Sequence, residues 1–132
     1  MAPDGRVFVA GYTSSSDFPM TANAFIRDVE EGNPSGFFAA FDRDLRNVVY
    51  ATALRGSFGE AWGVAAAADG SAYVTFDADQ SPLLPLLPPG GGNVIAKFDT
   101  AFNIVMMQRV RASMWDLAFD STGHLMVAGG TA

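Results

Sequence analysis

The chain has 132 residues, of which 49% are hydrophobic and 17% charged, and its net charge is −6. This composition excludes an intrinsically disordered protein, which combines low hydrophobicity with high net charge. The acidic balance excludes the basic surface that nucleic-acid binding requires, and the absence of cysteine excludes disulfides and thiolate metal sites. The length corresponds to one domain or to part of one.

Short apolar runs bounded by turn residues predict β-strands along the whole chain. In chain order they cover residues 6–13, 37–42, 47–54, 61–67, 71–76, 93–98, 103–110, 114–119 and 124–129. The best helical window, 20–31, predicts no more than one or two turns. No run reaches the ~20 apolar residues of a spanning helix, and no signal peptide is recognisable. We therefore predict no membrane insertion.

Parts of the sequence repeat. Residues 59–70 align with 112–123, and residues 4–11 align with both 69–76 and 122–129. The run 48–54 is apolar on both faces of a strand, which predicts sheets stacked face to face. Repeated four-stranded antiparallel sheets stacked in this way are typical of a β-propeller.

The first repeat unit carries a family resemblance. It contains Asp4-Gly5, then Val-Phe-Val-Ala-Gly-Tyr-Thr at 7–13, then Ser-Ser-Ser-Asp-Phe-Pro at 14–19. These stretches resemble the bacterial propeller repeat family SBBP, whose strand logic is related to that of NHL-type repeats. The resemblance implies a seven-bladed propeller and an extracellular or cell-surface bacterial protein. The second unit departs from the pattern, because a different sequence at 77–85 replaces the Asp-Phe-Pro stretch.

The size of the side chains predicts the strand order within each blade. The strand nearest a propeller axis is crowded, and the run 61–68 contains the smallest residues, so we assign it as the innermost strand, a. The chain then reads b-c-d, a-b-c-d, a-b, with an incomplete blade at 4–54, a complete blade at 60–110 and the start of another at 113–132. The predicted fold class is an all-β propeller fragment of about two four-stranded antiparallel blades, not closed by itself. Since propellers close with 4–8 blades, the predicted partners are the remaining blades or copies of the same chain.

One face of this fragment is predicted to be the recognition face. The long b–c connections, 14–36 and 77–92, lie on it together with the d–a connections, and long loops on a rigid scaffold commonly carry binding. The candidate ligand-binding residues on this face are Arg55, Phe58, Glu60, Asp77, Asp79, Arg111 and Asp116. Their ligand would be a carbohydrate or a protein. Trp62 and Trp115 occupy equivalent repeat positions, so we expect both to pack between blades, the alternative being aromatic plates for a sugar.

No catalytic residue and no metal ligand is assigned. Asp77 and Asp79 resemble part of a calcium loop but lack its glycine and distal glutamate, so calcium is only an alternative there. We predict a non-enzymatic scaffold or binding module of a larger, secreted or surface bacterial protein. The alternatives are part of a propeller enzyme, a glycosidase or lyase whose catalytic groups lie on other blades, and a self-assembling lectin-like ring.

Overall fold

The computed structural model describes residues 1–15, 17–27, 35–54, 61–77, 92–110 and 113–130, except for the side chains of Ser113 and Trp115. These ranges contain nine strands and no helix. The strands are β1 (Val7–Thr13), β2 (Ser35–Phe41), β3 (Val48–Leu54), β4 (Ala61–Ala66), β5 (Ala72–Asp77), β6 (Asn93–Phe98), β7 (Ile104–Val110), β8 (Ser113–Phe119) and β9 (Leu125–Gly130). Residues 20–27 form no helical turn, and 28–31 lie outside the described residues.

The strands form three antiparallel sheets in sequence order. The first sheet is β1-β2-β3, the second is β4-β5-β6-β7, and the third is β8-β9. This grouping is the predicted b-c-d, a-b-c-d, a-b order, and none of the three sheets closes on itself. The all-β, unclosed propeller-fragment class is therefore confirmed.

Three hairpin turns, at 2–6, 67–71 and 120–124, have the same backbone geometry, and we call them the glycine turns. In each, the first residue donates its N–H to the carbonyl of the fifth, and a glycine at the fourth place donates to the carbonyl of the first. The glycines, Gly5, Gly70 and Gly123, have φ values of 90°, 90° and 89°. A side chain is strained in this left-handed region, which explains why glycine recurs there.

Aspartates stabilise these turns and the two turns at the outer edge of the sheets. Asp69 accepts the Ser71 N–H at 2.9 Å, and Asp120 accepts the His124 N–H at 2.8 Å. In the outer turns, Asp42 accepts the Arg46 N–H and Asp99 the Asn103 N–H, both at 2.9 Å. Because backbone N–H groups favour the ionised carboxylate, these bonds lower the pKa of each group. The affected residues are Asp42, Asp69, Asp99 and Asp120.

These lowered pKa values predict how stability depends on pH. A carboxyl whose pKa is lower when folded stabilises the fold above its unfolded value of 3.8, and that contribution is lost as the pH falls through the folded pKa. We expect the urea midpoint to fall as the pH drops below about 4 for this reason. The Asp99→Asn variant should show a shallower fall than the wild type in urea unfolding monitored by circular dichroism. An equal slope in both proteins would contradict the assignment for Asp99.

The main core lies between the first and second sheets. Phe38, Tyr50 and Phe98 are fully buried there. The Phe38 and Phe98 ring centroids lie 4.8 Å apart, and Tyr50 stacks on Phe102 at 4.7 Å. These aromatic contacts between strands of different sheets join the two sheets into one hydrophobic cluster.

A second interface joins the second sheet to β8–β9, and β4 packs against both β1 and β8. A Cβ atom added at Gly63 of β4 would lie 3.1 Å from the Cα of Asp116 and from the N of Leu117. The backbones of β4 and β8 thus approach each other so closely that any side chain at this position would require one of them to shift. Farther along this interface, Tyr73 meets Phe119 edge to face at 5.2 Å. The small side chains of β4 agree with its position, since this strand packs against strands of both neighbouring sheets.

Thr75 of β5 has a buried hydroxyl for which the described residues offer no hydrogen-bond partner. An unpaired buried hydroxyl destabilises a fold, because it loses its bonds to water. We expect Thr75→Val to raise the free energy of unfolding by about 1–2 kcal/mol in denaturant titrations.

The matched control for that change is Thr52→Val. Thr52 is equally buried, but its Oγ1 accepts the Ile26 N–H at 3.0 Å. Removing this acceptor should lower stability by about 1–3 kcal/mol. A loss of stability in Thr75→Val, like that expected for Thr52→Val, would show that the Thr75 hydroxyl is satisfied in the folded protein.

Candidate functional site

Of the predicted ligand-binding residues, the structure describes Asp77 and Asp116. Asp77 ends β5, where it pairs with Asn93 of β6. Asp116 lies inside β8 opposite Ala128, is exposed, and accepts the Leu117 N–H at 2.8 Å. Both residues are therefore held by strands. The other predicted residues, Arg55, Phe58, Glu60, Asp79 and Arg111, lie outside the described residues, so their predicted roles stay predictions.

The most exposed aromatic position of the second sheet is produced by a β-bulge. Ala61 pairs with Phe76 and Gly63 pairs with Thr75, so Trp62 is an extra residue in β4. A bulge changes the direction in which the side chain of its extra residue points. Trp62 is 50% exposed to solvent. The prediction that Trp62 packs between blades is wrong for this reason. A similar register shift skips Trp115 in β8, but its side chain lies outside the described residues.

A second exposed aromatic residue lies at the same end of the sheets. β1 runs away from the glycine turn at 2–6, whereas β4 runs toward the glycine turn at 67–71. The end of β1 and the start of β4 are therefore both opposite the glycine turns. Tyr12, near the end of β1, is 62% exposed, and β1 packs against β4. Tyr12 and Trp62 are thus both exposed at the end of the sheets where the recognition face was predicted, and we call this end the aromatic end.

Part of the first long connection serves the scaffold. Residues 21–26, which we call the edge segment, run along the outer edge of β3. Thr21 donates its N–H to Ala51 O at 3.1 Å, and Ala53 donates to Ile26 O at 3.1 Å. This pairing covers a strand edge that would otherwise expose unpaired backbone groups. The edge segment therefore has a structural role, and fewer residues of the 14–36 connection are left for ligand recognition.

A cleft of about 250 Å³ lies at the opposite end, among the glycine turns. Arg6 lies in it, forming an ion pair with Asp4 at 2.6 Å and donating to Thr100 O at 3.3 Å and Gly70 O at 3.5 Å. Its guanidinium also lies 5.0 Å from the Phe102 ring centre. Residues of both sheets pair with the Arg6 charge and with its N–H donors. This cleft is therefore part of the packing boundary between the two sheets.

The single histidine belongs to a turn. The same atom, Nδ1 of His124, lies 2.7 Å from Thr122 Oγ1 and 3.1 Å from Asp120 Oδ2. A nucleophile relay needs one imidazole nitrogen facing the hydroxyl and the other facing the carboxylate. The cluster therefore lacks relay geometry and instead closes the glycine turn at 120–124.

The described ranges contain no group of three or more histidine, aspartate or glutamate side chains that could hold a metal ion. Calcium at Asp77 and Asp79 stays an untested alternative, because Asp79 is not described. The same ranges contain no helix long and apolar enough to cross a membrane. Compared with known proteins, the chain matches no family model and no curated protein.

Proposed function

We propose that this chain is a non-enzymatic binding module on a propeller-type scaffold, and that its aromatic end contacts the ligand. The observation that carries the proposal is Trp62, which a bulge turns into solvent although the neighbouring Ala61 and Gly63 are buried. A half-exposed tryptophan on a rigid strand offers a large contact area with little loss of conformational freedom on binding. Indole side chains are also enriched at binding surfaces for this reason.

The chemistry of the surface favours a neutral ligand with a flat apolar face. Tyr12 and Trp62 provide aromatic rings, and each ring can stack on the C–H face of a sugar. The net charge of −6 opposes binding of polyanions. Asp116, exposed on the neighbouring strand β8, offers a carboxylate that can accept hydrogen bonds from hydroxyl groups. A neutral carbohydrate is therefore the ligand class that we favour, with a protein surface as the alternative.

The scaffold role is supported by the open sheets and by the resemblance of the first unit to the SBBP repeat. That resemblance favours a larger secreted or surface bacterial protein as the setting in which the module works. In such a protein the strands hold the aromatic end in place while the longer connections vary around it.

The Trp62→Ala variant tests this proposal. Titration of the wild type with neutral β-glucan, mannan and chitin oligosaccharides should give binding heat with at least one of them. Trp62→Ala should weaken that binding at least tenfold, because it removes the exposed ring, whereas Trp62→Phe should retain most of it. Calorimetry measures all three proteins, and unchanged circular dichroism shows that they remain folded.

The matched control is Val49→Ala, which alters a 41% exposed side chain on the outer strand β3, away from the aromatic end. It should bind as the wild type does. Absence of binding to every oligosaccharide would rule out the carbohydrate class. Equal affinity in Trp62→Ala and the wild type would rule out the aromatic end as the site.

A further inference from the structure

We propose that the aromatic end carries a second, polar subsite centred on Asn93, and that the ligand is a neutral carbohydrate chain of at least two units rather than a single sugar. This inference rests on the proposed function, because it adds a contact to the ligand that the exposed rings bind. It starts from one repeated position of the first two sheets, which holds an aromatic residue in the first and a polar pair in the second.

The strand register defines this repeated position. The sequence repeat that aligns β1 with β5 places Tyr12 and Asp77 at the same position. Tyr12 pairs with Gly36 in the first sheet, and Asp77 pairs with Asn93 in the second. Both pairs lie at the aromatic end, because β1 and β5 end there and β2 and β6 begin there. The same place in two consecutive sheets is therefore apolar in one and polar in the other.

The side-chain amide of Asn93 is available for a ligand. Asn47 and Asn103 donate their side-chain amides to aspartates of the outer turns, at 2.8 Å and 3.4 Å. Asn93 is half-buried, and none of the described residues forms a hydrogen bond with its amide. Because polar groups inside a fold are normally hydrogen-bonded, this amide keeps its donors and its acceptor for water or for a bound molecule.

The backbone holds Asn93 in a fixed position. It is flanked on both sides, since it pairs with Asp77 of β5 and with Val110 of β7. Gly92, the residue before it, has a φ of 112°, and a Cβ atom there would lie 3.2 Å from the carbonyl oxygen of Val110. The chain thus enters β6 in close contact with β7. A binding group on such a strand loses little freedom when the ligand binds.

The distance between the two positions sets the length of the ligand. Packed sheets lie roughly 10 Å apart, so Tyr12 of the first sheet and Asn93 of the second are separated by at least about that distance. A single sugar ring cannot contact both, whereas a chain of two or more can stack on the aromatic ring and bond to the amide. An amide is uncharged and both donates and accepts, which matches the hydroxyl groups of a neutral sugar.

Calorimetry with ligands of increasing length tests this inference. The probes are the β-glucan, mannan and chitin series from one to four units, each titrated at high concentration. Wild-type affinity should rise at least tenfold from one unit to the longer members of the series that binds, because the second contact is made at a high effective concentration. Asn93→Ala should bind single units as the wild type does and lose most of this gain. Asn93→Ser, which keeps one donor and one acceptor, should recover part of it.

Gln108→Ala is the matched control. Gln108 carries an exposed amide on β7, but it pairs with Ile95 and therefore lies two places farther from the aromatic end than Asn93. Its removal should leave the length dependence unchanged. Circular dichroism shows whether each variant keeps its β-sheet signal. If Asn93→Ala loses that signal, Asn93→Ser takes its place, with a length gain smaller than that of the wild type.

The results separate this inference from the proposed function. Binding that depends on Trp62, but on neither the ligand length nor Asn93, would overturn the polar subsite and leave the proposed function intact. A length gain that Gln108→Ala also removes would overturn the assignment to Asn93. Absence of binding to every oligosaccharide would overturn the carbohydrate proposal and this inference with it.

Discussion

Phe38→Ala is expected to lower the free energy of unfolding by about 3–5 kcal/mol, the largest loss from any single truncation considered for this chain. Phe38 is fully buried at the centre of the aromatic cluster. Its ring lies 5.7 Å from Phe8, 6.0 Å from Tyr50 and 4.8 Å from Phe98, measured between centroids. The alanine therefore leaves a cavity whose walls belong to both sheets and cannot collapse independently.

Denaturant unfolding followed by circular dichroism measures this loss. Phe38→Leu keeps most of the apolar volume and should lose much less. A double-mutant cycle with Phe98→Ala should give a coupling energy of about 0.5–1.5 kcal/mol, because the two rings contact each other across the sheets. Additive losses would show that the rings do not pack together, and this would contradict the inter-sheet core.

Gly63→Ala is expected to cost about 3 kcal/mol, although it adds only one methyl group. The new Cβ would lie 3.0 Å from Thr75 Oγ1 and 3.1 Å from backbone atoms of Asp116 and Leu117. Backbone atoms cannot rotate away as a flexible side chain can, so β8 must move away from β4. Hydrogen exchange should accordingly accelerate in β8 and β9 more than in β2 and β3.

The matched control is Val64→Ala, in the adjacent residue of the same strand. Val64 packs against the cluster between the first and second sheets. Its truncation should cost about 1–2 kcal/mol and leave the exchange of β8 relative to β2 unchanged or slower. If Gly63→Ala gave the same exchange pattern as Val64→Ala, the close contact between β4 and β8 would not exist.

The sequence was sufficient to predict the strands because their signals are local. Apolar runs and turn residues such as Asp69-Gly70 and Thr122-Gly123 define each strand, and the observed bounds differ from the predicted ones by at most two residues. The order within each sheet follows because consecutive strands pair antiparallel, whether a short turn or one of the long b–c connections joins them. The crowding predicted for 61–68 agrees with the close approach of the β4 and β8 backbones at Gly63.

The exposed features were not predictable in the same way. A bulge changes which side of the strand a residue faces, and the sequence around Trp62 does not show that the register shifts there. Trp62 and Trp115 therefore looked like equivalent core positions. The edge segment was also missed. Its paired residues, Thr21 and Ile26, are too far apart in the sequence to produce the alternating pattern of a strand, and their partners in β3 are distant in sequence. The binding residues in the long connections depend on tertiary placement that local patterns do not contain.

The sheet order has a consequence for how the molecule comes apart. Each sheet consists of consecutive strands and packs on its neighbours in the stack, so its stability is approximately a sum of local and nearest-neighbour contributions. In the described chain β8–β9 has two strands and one neighbouring sheet, whereas the second sheet is flanked on both sides. Partial unfolding should therefore begin at β8–β9. A protease acting on the native ensemble would remove this hairpin first and leave the pair of sheets joined by the aromatic cluster.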